Sequence, residues 1–158
     1  MYAILDELKT AFASALSSTS IKKYYVGKVH NSPINYLPVF MVYAEQSTLI
    51  SRSTARDRWQ HIITIEVLTN AYNKVNQDGV EADGVLDAQK EIWDLFAGVD
   101  GDNEFNAATI GGALEGIILG TDYLYHHDIV IEYSQENVDG TVYYSGKATF
   151  TIDEFKTR

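Results

Sequence analysis

Six consecutive residues, Val39–Phe40–Met41–Val42–Tyr43–Ala44, constrain this chain more than any other stretch. They are apolar without interruption and contain no proline, so they read as a strand apolar on both faces, which belongs in the middle of a sheet. The turn formers Asn31, Pro33, Asn35 and Pro38 lead into it. Further on the pattern changes to alternation. Trp59, Ile63, Ile65 and Val67 face one way and Gln60, Thr64 and Glu66 the other, which gives a half-buried strand from Trp59 to Leu68. Ahead of both, Ile21 to Val29 holds Tyr24, Tyr25 and Val26, a β-branched and aromatic run that reads as the first strand.

Helical spacing appears twice. Residues 2–17 place Ile4, Leu5, Leu8, Phe12 and Leu16 three and four apart with Asp6, Glu7 and Lys9 between them, and Ser17 to Ser20 end the pattern. After a polar connection from Asn70 to Gly84, Val85, Ala88, Ile92, Leu95 and Phe96 repeat the spacing up to Gly98, with Asp83 as N-cap. The tail offers a short apolar stretch, Leu114–Leu119, and then strands from Tyr123 to Tyr133 and from Thr141 to Ile152. Asn137–Val138–Asp139–Gly140 joins them as a hairpin signal. Each helix has one apolar stripe to bury and so needs one layer beneath it. The expected fold is therefore α+β: one domain over residues 1–158 with a mixed or antiparallel β-sheet, two α-helices packed on one face and a C-terminal β-hairpin.

Between the second and third strands lie thirteen residues, Gln46–Arg58, in which only Leu49 and Ile50 are strongly apolar and serine and threonine abound. The stretch is too long for a tight hairpin and reads as a functional loop. It also holds Arg52, Arg56 and Arg58, whereas residues 78–104 hold nine acids against the single base Lys90, a net −8 of the chain's −10. A molecule so charged is not expected to grip nucleic acid, which takes a cluster of Lys and Arg facing the phosphates.

Apolar residues are 46% of the 158 and aromatics 12%, enough burial to offset chain entropy. There is no cysteine, hence no disulfide, thiolate metal site or thiol nucleophile. No apolar run reaches the roughly 20 residues that span a bilayer, and the N-terminus lacks a signal-peptide pattern, so no membrane or secreted location is expected. Catalytic and ligand motifs fail on inspection. Gly140–Lys147 has the wrong spacing for a phosphate loop and Ala148 where a hydroxyl is needed. Asp100, Asp102 and Glu104 begin like a calcium loop, but Phe105 and Gly111 stand where glycine and glutamate are required. His126 and His127 are adjacent in a strand and point to opposite faces, with Asp128 on the face of His126 and His61 not placeable from sequence. Eleven tyrosines, most of them in strands, read as sheet and interface packing. The expectation is a protein with no catalytic residues, no metal and no cofactor.

The stripe Leu5–Leu8–Phe12–Leu16, the block Pro38–Glu45, the polar stretch Gln46–Arg58, the strand Trp59–Leu68, the helix Asp83–Phe96 and the hairpin Tyr123–Ile152 follow one another in an order that resembles the tail terminator and tail-completion proteins of long-tailed phages. The resemblance rests on architecture and composition over nearly the whole chain. It implies a structural virion protein of the tail or neck, assembled in the host cytoplasm. Such a subunit forms a homo-oligomer, a hexameric ring, that caps the tail-tube protein, ends tube growth and offers a joining surface to the head-tail connector protein. DNA would pass through without specific binding. In such a ring Arg52, Arg56 and Arg58 are expected at the subunit interface, opposite acids of residues 78–104. A tail-tube or head-completion subunit, and a non-phage α+β domain binding a small ligand, are the alternatives.

Overall fold

A computed structural model describes residues 2–29, 36–70, 90, 92–96, 109–110, 123–138 and 140–158, with the backbone alone at 2, 70, 123–129, 136, 138 and 141. In chain order the elements are α1 (Tyr2–Ala15), β1 (Lys23–Val26), β2 (Val39–Arg52), β3 (Arg56–Asn70), β4 (Tyr123–Val138) and β5 (Thr141–Thr157). The five strands form one mixed sheet in the order β1-β2-β3-β5-β4. β1 runs parallel to β2, and every other neighbouring pair is antiparallel.

The α+β expectation is corrected by this architecture. Strands of 14, 15, 16 and 17 residues, with a short one of 4, outweigh one 14-residue helix and a short helical segment at 92–96, so the protein is predominantly a sheet. The cause lies in Gln46–Arg58. It is not a loop but the distal half of β2 and the start of β3, paired from Gln46↔Ile62 out to Arg52↔Asp57. Both faces of distal β2 meet solvent, so nothing selects apolar residues there and the alternation that marks a half-buried strand is missing. Ser53, Thr54 and Ala55 make the turn. Ser53 Oγ accepts from Arg56 N at 2.9 Å, and Ser53 N donates to Arg56 O at 3.0 Å. The expected connection Asn70–Gly84, most of the helix Asp83–Phe96, the acidic loop through Asp100 and Glu104, and Leu114–Leu119 fall outside the described residues.

The core lies on one face of the sheet. Ile4, Leu5, Leu8 and Phe12 of α1, with Leu16 directly after it, pack with Phe40 and Val42 of β2, Ile63, Ile65 and Val67 of β3, and Tyr144, Ala148, Phe150 and Ile152 of β5. Phe12 and Phe40 sit centre to centre at 5.0 Å, and Tyr24 meets Phe40 at 5.4 Å. Burying a side chain such as Phe12 contributes about 2–3 kcal/mol. α1 stops where Thr19 caps it: its Oγ donates to Leu16 O at 2.6 Å, and Tyr24 OH donates to the same carbonyl at 3.2 Å. The other face carries a smaller cluster of Leu37, Val39, Met41, Leu68 and Tyr143. Together the two clusters explain why residues 39–42 are apolar on both sides.

Ile92, Leu95 and Phe96 of the helical segment join the main core over β5. Their seat requires glycine beneath: a Cβ built on Gly146 would lie 2.1 Å from Ile92 Cγ2 and 3.3 Å from Phe96 Cε2. Gly140, at φ +82°, turns β4 into β5 with its N–H on Asn137 Oδ1 at 3.2 Å. Replacing Gly146 by alanine should push the segment off the sheet and lower unfolding stability by about 1–3 kcal/mol. Chemical denaturation of Gly146→Ala against the parent checks this; an unchanged midpoint would remove the close contact.

Candidate functional site

The polar side chains gather at the end of the sheet beyond α1, around the β2–β3 arm and the adjoining end of β5. The alternation of β3 continues there with polar residues. His61 has the same parity as Ile63, Ile65 and Val67, and it lies opposite Ser47 of β2 and Ile152 of β5. Two residues on, Glu154 points to the same side. A register shift between Ala44 and Gln46 brings Ser47 onto that face.

These three side chains form a line. His61 Nδ1 is 2.9 Å from Ser47 Oγ, and its Nε2 is 2.9 Å from Glu154 Oε2. His61 is 3% exposed and Glu154 6%, whereas Ser47 is open to solvent. A carboxylate only accepts, so Nε2 carries a proton toward Glu154, and in the neutral ring Nδ1 accepts from the Ser47 hydroxyl. Lys156 Nζ stands 3.4 Å from the same carboxylate oxygen. Burial pushes the Glu154 carboxyl upward. The bond from His61 and the charge of Lys156 outweigh that and hold it below the usual glutamate value.

A serine, histidine and acid in hydrogen-bond sequence is the order used in nucleophilic catalysis. Acyl transfer also needs converging oxyanion donors and a place for the reacting carbonyl. Here the serine stands on an exposed strand. A cavity of about 140 Å³, lined by Ile92, Tyr133, Ser134, Gln135, Tyr144 and Ser145, lies at the other end of the sheet. The line of three fits a structural role: it satisfies a histidine and a glutamate that the strand pairing buries.

On the opposite face Asp153, fully buried, accepts from Arg58 Nε at 3.0 Å and from Arg58 Nη2 at its Oδ2, and from Gln60 Nε2 at 3.4 Å at its Oδ1. At the tip Asp57 lies 3.7 Å from Arg52 Nε and 3.0 Å from Arg158 Nη2. Toward the sheet centre Tyr43 OH donates to buried Glu66 at 2.8 Å, with Lys28 Nζ at 3.9 Å. Burial, then the bond to Glu66 and the charges of Glu66 and Glu45, push the Tyr43 phenol well above its ordinary range.

The three arginines expected at an interface are thus all on the arm, but two are engaged within the subunit. Arg58 neutralises Asp153 and Arg52 faces Asp57. Arg56 is exposed and makes no ion pair with the described residues. Of the acids expected opposite them, Asp94 is described and pairs with Lys90 at 2.8 Å. The rest of residues 78–104 that carry acids lie outside the described residues. Gly140–Lys147 runs as turn and strand. At His126 and His127 the backbone has a register shift before Val130, but the side chains there lie outside the described set. No group of three His, Asp or Glu suited to a metal occurs among the described residues. Sequence reasoning missed the Ser47–His61–Glu154 line and the Arg58–Asp153 pair. One signal was present: the parity of His61 with Ile63 and Ile65 marks it as a buried histidine in need of partners.

No protein-family model matches this sequence, and no curated protein matches it.

The lowered pKa of Glu154 fixes a sign for pH dependence. A carboxyl whose folded pKa is depressed adds stability that is present above its unfolded value and is lost as pH falls through the folded one. The stability gap between the parent and Glu154→Gln should therefore be constant at neutral pH and close as pH drops below the ordinary glutamate range; urea titrations across acid pH read it directly. Removing Arg58 leaves Asp153 buried without its main partner, so Arg58→Ala should cost about 1–3 kcal/mol in the same assay. A loss no greater than that of Arg56→Ala would show that Asp153 finds water instead.

Proposed function

We propose that this protein is a structural subunit of a long-tailed phage. It caps the tail tube as a hexameric ring, ends tube polymerisation and presents the joining surface for the head connector, with DNA passing through unbound. It works by assembly in the virion tail or neck, after folding in the host cytoplasm, and not by catalysis.

The observation that carries this reading is the arm. Beyond Ala44, β2 is exposed on almost every residue, although it stays paired to β3 and closes in a hydrogen-bonded turn. An ordered ribbon that buries none of its own subunit's core is a surface built for a neighbour. Its basic side chains suit an otherwise acidic molecule, because an arm carrying Arg52 and Arg56 can meet an acidic face of the next copy. The net charge of −10 likewise suits a conduit that must not retain a polyanion.

Negative-stain microscopy and light scattering, with and without tube protein, test the reading. Rings are expected on tube ends and duplex DNA should not bind saturably at low salt. Arg56→Glu should weaken ring formation with an unchanged circular dichroism spectrum, since the Arg56 side chain makes no ion pair with the described residues of its own subunit. A protein that stays monomeric and never caps a tube, or one that binds duplex DNA tightly, ends the proposal.

A further inference from the structure

We propose that Ser47 is an acyl-acceptor site: His61, backed by Glu154, takes the Ser47 proton, and the serine oxygen captures one acyl group from an activated carboxylic ester or thioester. This chemistry is independent of the ring reading above.

The proton relay is complete. Ser47 and His61 are cross-strand neighbours on β2 and β3, and Glu154 lies two residues beyond Ile152, the partner of His61 on β5. Ser47 Oγ is 2.9 Å from Nδ1, and Glu154 Oε2 is 2.9 Å from Nε2. Either ring nitrogen can serve as the base, and the bond made by the other decides which one does. With Nε2–H held by the carboxylate, Nδ1 turns its lone pair to the hydroxyl. Proton transfer makes the ring a buried cation, which is costly without a counter-charge. Glu154 supplies it: its carboxyl is buried, titrates below the usual glutamate value and is therefore ionised at neutral pH, with Lys156 Nζ at 3.4 Å on the same oxygen.

The serine is open to solvent while the base and the acid are buried, so an acyl donor reaches the oxygen and the proton acceptor stays dry. Next along the same face come Leu49 and Trp59, a half-buried cross-strand pair. They give an alkyl or aromatic group of the donor an apolar surface to lie on. The step is a substitution at the carbonyl carbon. The Oγ–C bond forms, the bond from that carbon to the leaving oxygen or sulfur breaks with its electron pair, and the hydroxyl proton passes to Nδ1 and on to the leaving group or solvent. The N–H groups of β2 lie in the plane of the sheet, so the strand aims none of them at an oxyanion on the Oγ face. Donors with weakly basic leaving groups react without that help. The serine ester they form would have to expel a strongly basic alkoxide, so it persists, and the site takes up one group without turning over.

The probe is p-nitrophenyl acetate in excess at neutral pH, with peptide mass mapping over time to show where the acetyl group goes. Ser51 and Ser53, exposed on the same arm, are controls within the chain: Ser51 lies opposite Arg58, and Ser53 is in the turn. General-base help is worth about 10²–10⁴-fold, so Ser47 should be acetylated at least about 100-fold faster than either control. Ser47→Ala, a change at an exposed position, should lose that label and no other. Glu154→Gln keeps an acceptor for Nε2–H and removes the charge, so labelling of Ser47 should slow by about tenfold or more while labelling of the lysines stays as in the parent. Acetylation of Ser47 no faster than that of Ser51 and Ser53 would overturn the proposal, and so would equal Ser47 rates in the parent and Glu154→Gln. Acetyl lost from Ser47 as fast as it arrives would overturn the acceptor role.

Discussion

The fold depends on the alternation of β3. It is paired to β2 from Asp57 to Leu68 and to β5 from Arg56 to Asn70, so its period of two dictates what each face of the sheet must supply. Ile63, Ile65 and Val67 are fully buried and require an apolar layer, which α1 and the 92–96 segment provide. Thr64 and Glu66 point the other way. They are buried as well, and they draw polar partners from their neighbours: Tyr43 and Lys28 on Glu66, Glu45 and Thr149 on Thr64. A buried carboxylate left unpaired would be costly, and these contacts hold that face to one register.

The same alternation continues past the end of the helix layer. At His61 the parity still points to the core side, but α1 has ended, and the space is filled by Ser47, Glu154 and Lys156. On the reverse face Asp153 repeats the logic with Arg58 and Gln60. Thus one side of the sheet end is held by a histidine and the other by an arginine. Polar pairs of this sort add little net stability when compared with apolar packing, yet they allow a strand pair to extend into solvent without a third layer. The arm is held to one register by these contacts on both of its faces.

How much of this was legible in the sequence follows from where side chains are selected by burial. The stripe Ile4, Leu5, Leu8, Phe12 and Leu16 is readable because each position touches the core. The block 39–42 is readable because both sheet faces are covered at that level. The arm Gln46–Arg58 is not readable, since a strand wet on both faces has no pattern to show, and a composition rich in serine and threonine imitates a loop. That single misreading turns a sheet-dominated protein into an α+β one. The Ser47–His61–Glu154 line was closed to sequence for another reason. Its members lie on three strands, and their meeting depends on a one-residue register shift between Ala44 and Gln46. Arg58 was legible as a basic residue but not as a structural one, because its partner Asp153 is placed only by the pairing of β3 with β5.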